Sequence, residues 1–296
     1  MSGASGPFST WRFDAIGTGW QIDTSEPLDE SARRRIDAVI DRFDREWSRF
    51  RADSVVSGLA RRGGSAPAPP DAARMLDAYA VLDAATGGAV NPLVGASLAA
   101  RGYDAAYAFV DRGARPAPRD WRDRLRWEQG TLELGGPELI DVGALGKGRL
   151  VDKVAAEVAA SVAGPFVVDA SGDLVVAGTA ERVALEHPYD SRRAIGVVEV
   201  ADAALCASAT NRRAWGDGLH HVLDARTGEP VRTIAATWAI APCGIPDPAM
   251  RADAIATALF FEGGPESAAA WGIDWVRMTT DGRVEWSPGS KAELFT

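Results

Sequence analysis

The sequence predicts an α+β fold in which mixed or antiparallel sheets are flanked by helices. Long stretches with helical periodicity stand beside many antiparallel-looking strands, and the two kinds of segment do not alternate as a doubly wound sheet requires. No internal repeat is present, and 296 residues at 46% hydrophobic and 25% charged describe an ordinary globular chain. That length allows one large domain or two intimately packed ones over residues 13–296, after a short flexible N-terminus at residues 1–12.

The elements follow in order. Phe13 to Asp23 alternates apolar and polar residues around Gly17-Thr18-Gly19 and reads as a strand. Leu28 to Phe50 carries Ile36, Val39, Ile40, Phe43 and Trp47 at helical spacing, with arginines and aspartates on the other face. Gly63 to Pro70 reads as a loop, and Ala72 to Ala85 as a helix closed by Thr86-Gly87-Gly88. Asn91 to Arg119 reads as short helices and loops, Leu125 to Leu134 as a hairpin, and Lys147 to Ala163 as a helix. Phe166 to Asp169 is a buried strand turning at Ser171-Gly172-Asp173 into Leu174 to Ala177. Further strands are expected at Val183 to Glu186, Gly196 to Val200, Ala204 to Ala207 and Thr237 to Ala241. A helix from Met250 to Phe261 and a hairpin from Trp275 to Glu285 complete the chain.

A net charge of −9 argues against nucleic-acid binding, which needs a dominant basic patch. The two cysteines, Cys206 and Cys243, lack the spacing of a zinc or redox motif. The N-terminus shows neither a positive n-region nor an apolar h-region, and no run reaches membrane-spanning length, so the expected compartment is the cytoplasm.

Five segments can carry chemistry. Ile140-Asp141-Val142-Gly143-Ala144-Leu145-Gly146-Lys147-Gly148 sets an acid and a lysine six residues apart in a glycine-punctuated turn opening a helix. Such a turn exposes backbone groups to an anion or metal, or is only a tight turn; it lacks Walker spacing. Asp253 and Thr257 lie i,i+4 on one helix face. They are two hard oxygen ligands for Mg²⁺, or an aspartate near a helix start and a threonine bonded back to a carbonyl. If their segment is extended, His220 and His221 point to opposite sides, so at most one faces a site; otherwise the segment is a strand running into a turn, with Asp224 and Thr227-Gly228 serving the turn. Ala207 to Trp215 and Ser48 to Ser54 each bring hydroxyls and arginines together, as a pocket wall or as solvated edges, and exposed arginines are the commoner outcome at a helix end.

In combination these pieces have an order and spacing that resembles the FAD:protein FMN transferases, the ApbE-like flavin transferase family, from about Phe13 to near Glu262. The resemblance rests on Gly17-Thr18, Ser48-Arg49-Phe50-Arg51 with Asp53-Ser54, Gly88 to Pro92 with Val94-Gly95, and Gly102-Tyr103-Asp104. It continues through Asp141 to Ala144 with Lys147-Gly148 and Asp152, Ser171-Gly172-Asp173, Arg212-Arg213 with Trp215, His221 with Asp224 and Thr227-Gly228, and Asp253 with Thr257.

The resemblance implies a single flavin transferase domain that binds FAD with Mg²⁺. It implies transfer of FMN to a threonine or serine hydroxyl of an acceptor flavoprotein, with release of AMP. It makes Asp253 and Thr257 metal ligands, with the backbone of Ala144 and the Ala256 carbonyl region as further candidates. Lys147 and Asp141 become nucleotide contacts, and Ile16, Ala89, Val90 and Asn91 flavin contacts, with Val231 as an added apolar wall. His221, together with Asp253, is then catalytic, as a base or orienting group whose ordinary near-neutral pKa suits the task. The chain departs from the family pattern where Ile16 replaces methionine, Asn91 aspartate, Ser171 the first of two glycines, and Ala225 a proline. Two other functions use the same pocket: FAD pyrophosphatase, with water in place of the hydroxyl, and a non-catalytic flavin-binding protein.

Overall fold

The N-terminal alternation folds as a hairpin, not one strand. In the computed structural model, which describes residues 8–295, β1 (Ser9–Ala15) pairs antiparallel with β2 (Thr18–Thr24). Ile16 and Gly17 between them both have positive φ, +47° and +76°, the type I′ geometry whose twist matches a two-residue hairpin. Residues 9–12, expected to be flexible, are paired strand; residues 1–7 of that expected tail lie outside the described residues.

Next comes α1 (Glu30–Trp47), capped by Asp29 and burying Ile36, Ile40, Phe43 and Trp47 along one stripe. Ser54 caps a short helix, α2 (Val55–Arg62). The Gly/Pro-rich stretch expected as loop contains β3 (Gly64–Pro67), an edge strand. Then follow α3 (Ala72–Ala85), α4 (Gly95–Ala100), α5 (Trp121–Arg124), β4 (Leu125–Glu128) and β5 (Thr131–Leu134). The last two join β3 in a small three-stranded antiparallel sheet in the order β3-β5-β4, which leaves Pro67 on an edge, where a strand tolerates it.

The second half contains α6 (Gly146–Ala159), β6 (Phe166–Asp169), β7 (Asp173–Glu186) and β8 (Ala194–Ala209). Four two-residue strands follow: β9 (Ala214–Trp215), β10 (Leu219–His220), β11 (Leu223–Asp224) and β12 (Glu229–Pro230). After them come β13 (Ile234–Pro242), α7 (Pro248–Ala258), α8 (Gly264–Trp271), β14 (Asp274–Thr279), β15 (Val284–Trp286) and β16 (Glu293–Leu294). A nine-stranded antiparallel sheet in the order β1-β2-β6-β7-β8-β13-β14-β15, with β16 beside β8, forms the frame.

Both faces of its centre are buried. Val168, Val175, Ala204 and Ala239 join the main core under the helices, while Val167, Leu174, Val176 and Leu205 enter a second core on the other side. The period-two split explains why Phe166-Val167-Val168 reads as an unbroken apolar run. β7 and β8 were each expected as two strands. They run through, because Gly178 and Asp202, whose positive φ and polarity mimic turn signals, sit at a bulge where Gly178 N–H donates to Asp202 Oδ1. Among the described residues no helix is long and apolar enough to cross a membrane.

Candidate active site

A cavity of about 1090 Å³ opens between the β1–β2 turn, the end of α1, the turn leading into α6, and α7. Its size exceeds the usual range for a small ligand and suits a dinucleotide. Asp253 and Thr257 both line it, as their i,i+4 spacing requires. Thr257 Oγ1 donates to Ala144 O at 3.2 Å, and Asp253 Oδ2 accepts from Gly148 N–H at 2.9 Å. A carboxylate, a hydroxyl and a backbone carbonyl thus meet on the cavity floor. Ala256 is fully buried and does not line the cavity; its carbonyl accepts from Thr237 Oγ1 of β13 at 2.6 Å.

The floor is charged. Burial, and then the neighbouring charge of Asp173, hold the Asp253 carboxyl well above the ordinary carboxylate range. Asp173, which has no exposed surface, is likewise raised by burial, an effect Lys147 opposes. Lys147 Nζ lies 3.2 Å from Asp173 Oδ2 and near the carbonyls of Ala170 and Ser171. Burial would lower its pKa, but Asp173 and Asp253 outweigh that and raise it, so the lysine stays a cation. Lys147 lines the cavity, yet its charge is directed into this cluster.

Asp141 is equally engaged. Arg49 Nε donates to its Oδ2 at 2.5 Å, Gly143 N–H donates to its Oδ1 at 2.7 Å, and Tyr79 OH donates to its carbonyl at 3.0 Å. Tyr79 Oη also accepts from Ala144 N–H. These bonds fix the turn that presents the Ala144 carbonyl. Arg49, expected as an exposed helix-end residue, is only 6% exposed and lies over the rings of Phe50 and Tyr103. Its signal in the sequence is Phe50 beside it, which supplies a ring for the guanidinium.

The histidine pair separates, His220 ending β10 and His221 lying just beyond it. His220 is buried, with Nε2 at 2.9 Å from Val231 O and Nδ1 accepting from Val222 N–H, so both nitrogens hold backbone. His221 lines the cavity, and its Nδ1 is buried without a partner. Burial, then the charge of Arg213, push its pKa down to about 3, so the ring is neutral at physiological pH, unlike the near-neutral titration its residue type suggests. Arg213, also on the wall, donates to Tyr103 Oη at 3.0 Å. Asp173, Arg213, Arg49 and Tyr79 belong to the site's frame and were assigned no role from sequence. Asp173, Arg213 and Arg49 lay within the quoted motifs.

The ApbE family model matches residues 16–274, most of the chain and every element that lines the cavity. The chain belongs to the ApbE family. A protein named FAD:protein FMN transferase from Treponema pallidum (strain Nichols) is 29% identical over 282 residues, taking in 81% of this chain and 74% of that protein. One of the same name from Rhodobacter capsulatus is 26% identical over 319 residues, taking in 98% of this chain; the chain spans 59% of that relative's length. The crystal structure of the ApbE protein of Thermotoga maritima has the same fold, with a TM-score of 0.79 at 20% identity over 95% of this chain and 97% of that one.

Against the ApbE pattern, three of the four departures in this chain have a local structural counterpart. Asn91 Nδ2 donates to Pro118 O at 2.9 Å while its Oδ1 accepts from Leu93 N–H, a pairing for which a carboxylate has no donor. Ser171 adopts φ +56°, the region that favours glycine, and its hydroxyl donates to Gly19 O at 2.8 Å. Ala225 N–H donates to Ala89 O, which proline could not do. Ile16, Ala89, Val90 and Asn91 line the cavity. Val231 does not: it packs against the main core, and its backbone pairs with Val222 and His220.

Proposed function

We propose that this chain is a FAD:protein FMN transferase that uses Mg²⁺ to move FMN from FAD to a threonine or serine hydroxyl of an acceptor flavoprotein. The observation that carries the reading is the convergence of the Asp253 carboxylate, the Thr257 hydroxyl and the Ala144 carbonyl on the floor of a dinucleotide-sized cavity. Among the described residues no three acidic, histidine or cysteine side chains gather around a metal position. The donors here are instead mixed hard oxygens, the set that Mg²⁺ takes while retaining waters and substrate phosphate. The charge balance also fits, since Asp173 and Asp253 are two buried carboxylates facing one ammonium, Lys147. Bound there, the cation would neutralise charge developing on the pyrophosphate.

The chain's own residues supply the rest. The acceptor oxygen attacks the phosphorus of the FMN half, the bond to the AMP oxygen breaks, AMP leaves, and the hydroxyl proton is released. Phosphoryl transfer of this kind depends chiefly on positioning and charge. His221, neutral and with an unpartnered nitrogen, can accept a hydrogen bond from the hydroxyl and orient it. An anionic pyrophosphate beside it raises its basicity. Asp141, pinned by Arg49, holds the turn that carries Ala144. Incubation with FAD, Mg²⁺ and a candidate acceptor should leave flavin fluorescence on the acceptor through denaturing electrophoresis, with AMP in equal amount. Free FMN with AMP would instead mean a pyrophosphatase, and unchanged FAD a binding protein.

A further inference from the structure

Helices α6 and α7 cap one another. Neither begins with a side-chain cap of its own: Leu145 stands at the N-cap of α6, and Asp247 at that of α7. Asp247 has φ +51°, and its carboxylate is drawn away to Arg74 and Arg149. The first N–H groups of a helix are costly to bury without acceptors, and here the acceptors cross the interface. Asp253 of α7 takes the N–H of Gly148 at 2.9 Å. Asp152 of α6 takes those of Ala249 and Met250, one oxygen each, both at 2.9 Å.

The grip is in register on both sides. Gly148 and Asp152 are i,i+4 on α6, and Ala249 and Asp253 are i,i+4 on α7, so one face of each helix meets one face of the other. Contact is close enough that a Cβ on Gly148 would lie 2.2 Å from Ala249 O and 2.7 Å from Asp253 Cβ. With two contact points one turn apart, α7 cannot slide or rotate against α6 without breaking one of them.

We infer that Asp152 is a positioning residue: by holding the first turn of α7 it fixes where Asp253, one turn on, presents its carboxylate to the cavity. Asp152 does not line the cavity, so it acts through α7. The inference rests on reading Asp253 as a cation ligand, and the test separates the two. Asp152→Ala and Asp152→Asn are compared with wild type for Mn²⁺ affinity by electron paramagnetic resonance, riboflavin affinity, and hydrogen exchange at the Gly148 amide. Asp29→Ala, which removes the N-cap of α1 where Asp29 accepts from Ala32 N–H, is the control for lost stability alone.

Asp152→Ala should weaken Mn²⁺ binding about tenfold or more, the usual cost of removing a partner that orients a ligand. It should speed Gly148 exchange and leave riboflavin affinity within about twofold, since the apolar wall is untouched. Asp152→Asn should fall between, because its one carbonyl oxygen can still take one N–H. Asp29→Ala should lower the melting temperature without moving Mn²⁺ affinity or Gly148 exchange. Wild-type Mn²⁺ affinity and Gly148 protection in a folded Asp152→Ala protein, or equal losses in Asp29→Ala, overturn the inference. If wild type binds no Mn²⁺, the reading of Asp253 as a ligand fails, while Gly148 exchange alone still decides whether Asp152 holds Asp253.

Discussion

Lys147 Nζ lies 3.2 Å from Asp173 Oδ2, so the lysine of the glycine-rich turn balances a buried acid behind the cavity. The side chain that sequence suggests for phosphate is thus first a counter-ion. Lys147→Met should leave Asp173 and Asp253 without their cation and cost about 3–5 kcal/mol, the usual penalty for breaking one half of a buried pair. Lys147→Met with Asp173→Leu should recover most of that, because an apolar pair of similar volume avoids the desolvation cost. Urea midpoints check both. An unchanged midpoint in Lys147→Met, with FMN affinity lost and riboflavin affinity kept, would show that the lysine serves phosphate alone.

Asp253→Asn separates fold from site. The asparagine carbonyl can still accept from Gly148 N–H, and an acid whose ionised form burial and Asp173 disfavour is replaced by a neutral amide, so the metal-free protein should melt no lower than wild type. It should fail to gain the stability that a bound cation gives wild type, about 2.7 kcal/mol at a hundredfold excess over Kd, and FAD cleavage should be lost. Thr257→Val, of the same shape, should weaken Mg²⁺ dependence without abolishing it. Calorimetric melts with and without Mg²⁺ decide; an undiminished Mg²⁺ shift in Asp253→Asn removes the residue from the site.

What the sequence makes legible follows the range of the interaction. The limits of α3, Ala72–Ala85, are readable because its periodicity and closing glycines are local. Asp253 and Thr257 are readable for the same reason, since helical spacing alone puts them on one face. β3 is hidden because its pairing with β5 spans residues 64–134, and nothing in Gly64-Ser65-Ala66-Pro67 announces a strand. Asp173 and Arg49 were passed over because their burial depends on partners far along the chain: Lys147 for one, Asp141 and Tyr103 for the other. Ala256 and Val231, carried over by resemblance, face the sheet and the core because the local packing, and not the motif, orients them.

The histidine pair gives a test in pH and in transfer. Burial, with Arg213 and His220 facing the ring and Asp141 opposing them, lowers His221 to about 3 in the fold, against about 6.5 unfolded. A depressed base is at no disadvantage above pH about 6.5; as pH falls towards 3 the unfolded chain gains the proton first, and stability declines by about 1.4 kcal/mol per unit. The difference in urea stability between wild type and His221→Phe should therefore change across this window and be flat above it. In transfer, His221→Ala should bind FAD but lose acceptor labelling. His220→Ala should lose stability, because its ring holds Val222 and Val231. Full labelling by His221→Ala would exclude a part for this histidine in transfer.

Ile16 at φ +47° is the clearest conflict between stability and site. A β-branched residue is costly in the left-handed region, and the first centre of a type I′ turn prefers asparagine before glycine. The strain is localised at a cavity wall, where a branched apolar side chain at the hairpin tip meets the space that the flavin would fill. Ile16→Asn creates the Asn-Gly turn with Gly17 and should stabilise by about 1 kcal/mol, a rise in melting temperature of about 2–4 °C. It should weaken riboflavin and FAD alike, leaving AMP untouched, because the lost contact is apolar and on the flavin side. A melting temperature that stays or falls would mean that the turn is not strained by isoleucine; unchanged riboflavin affinity would mean that the hairpin tip does not touch the flavin.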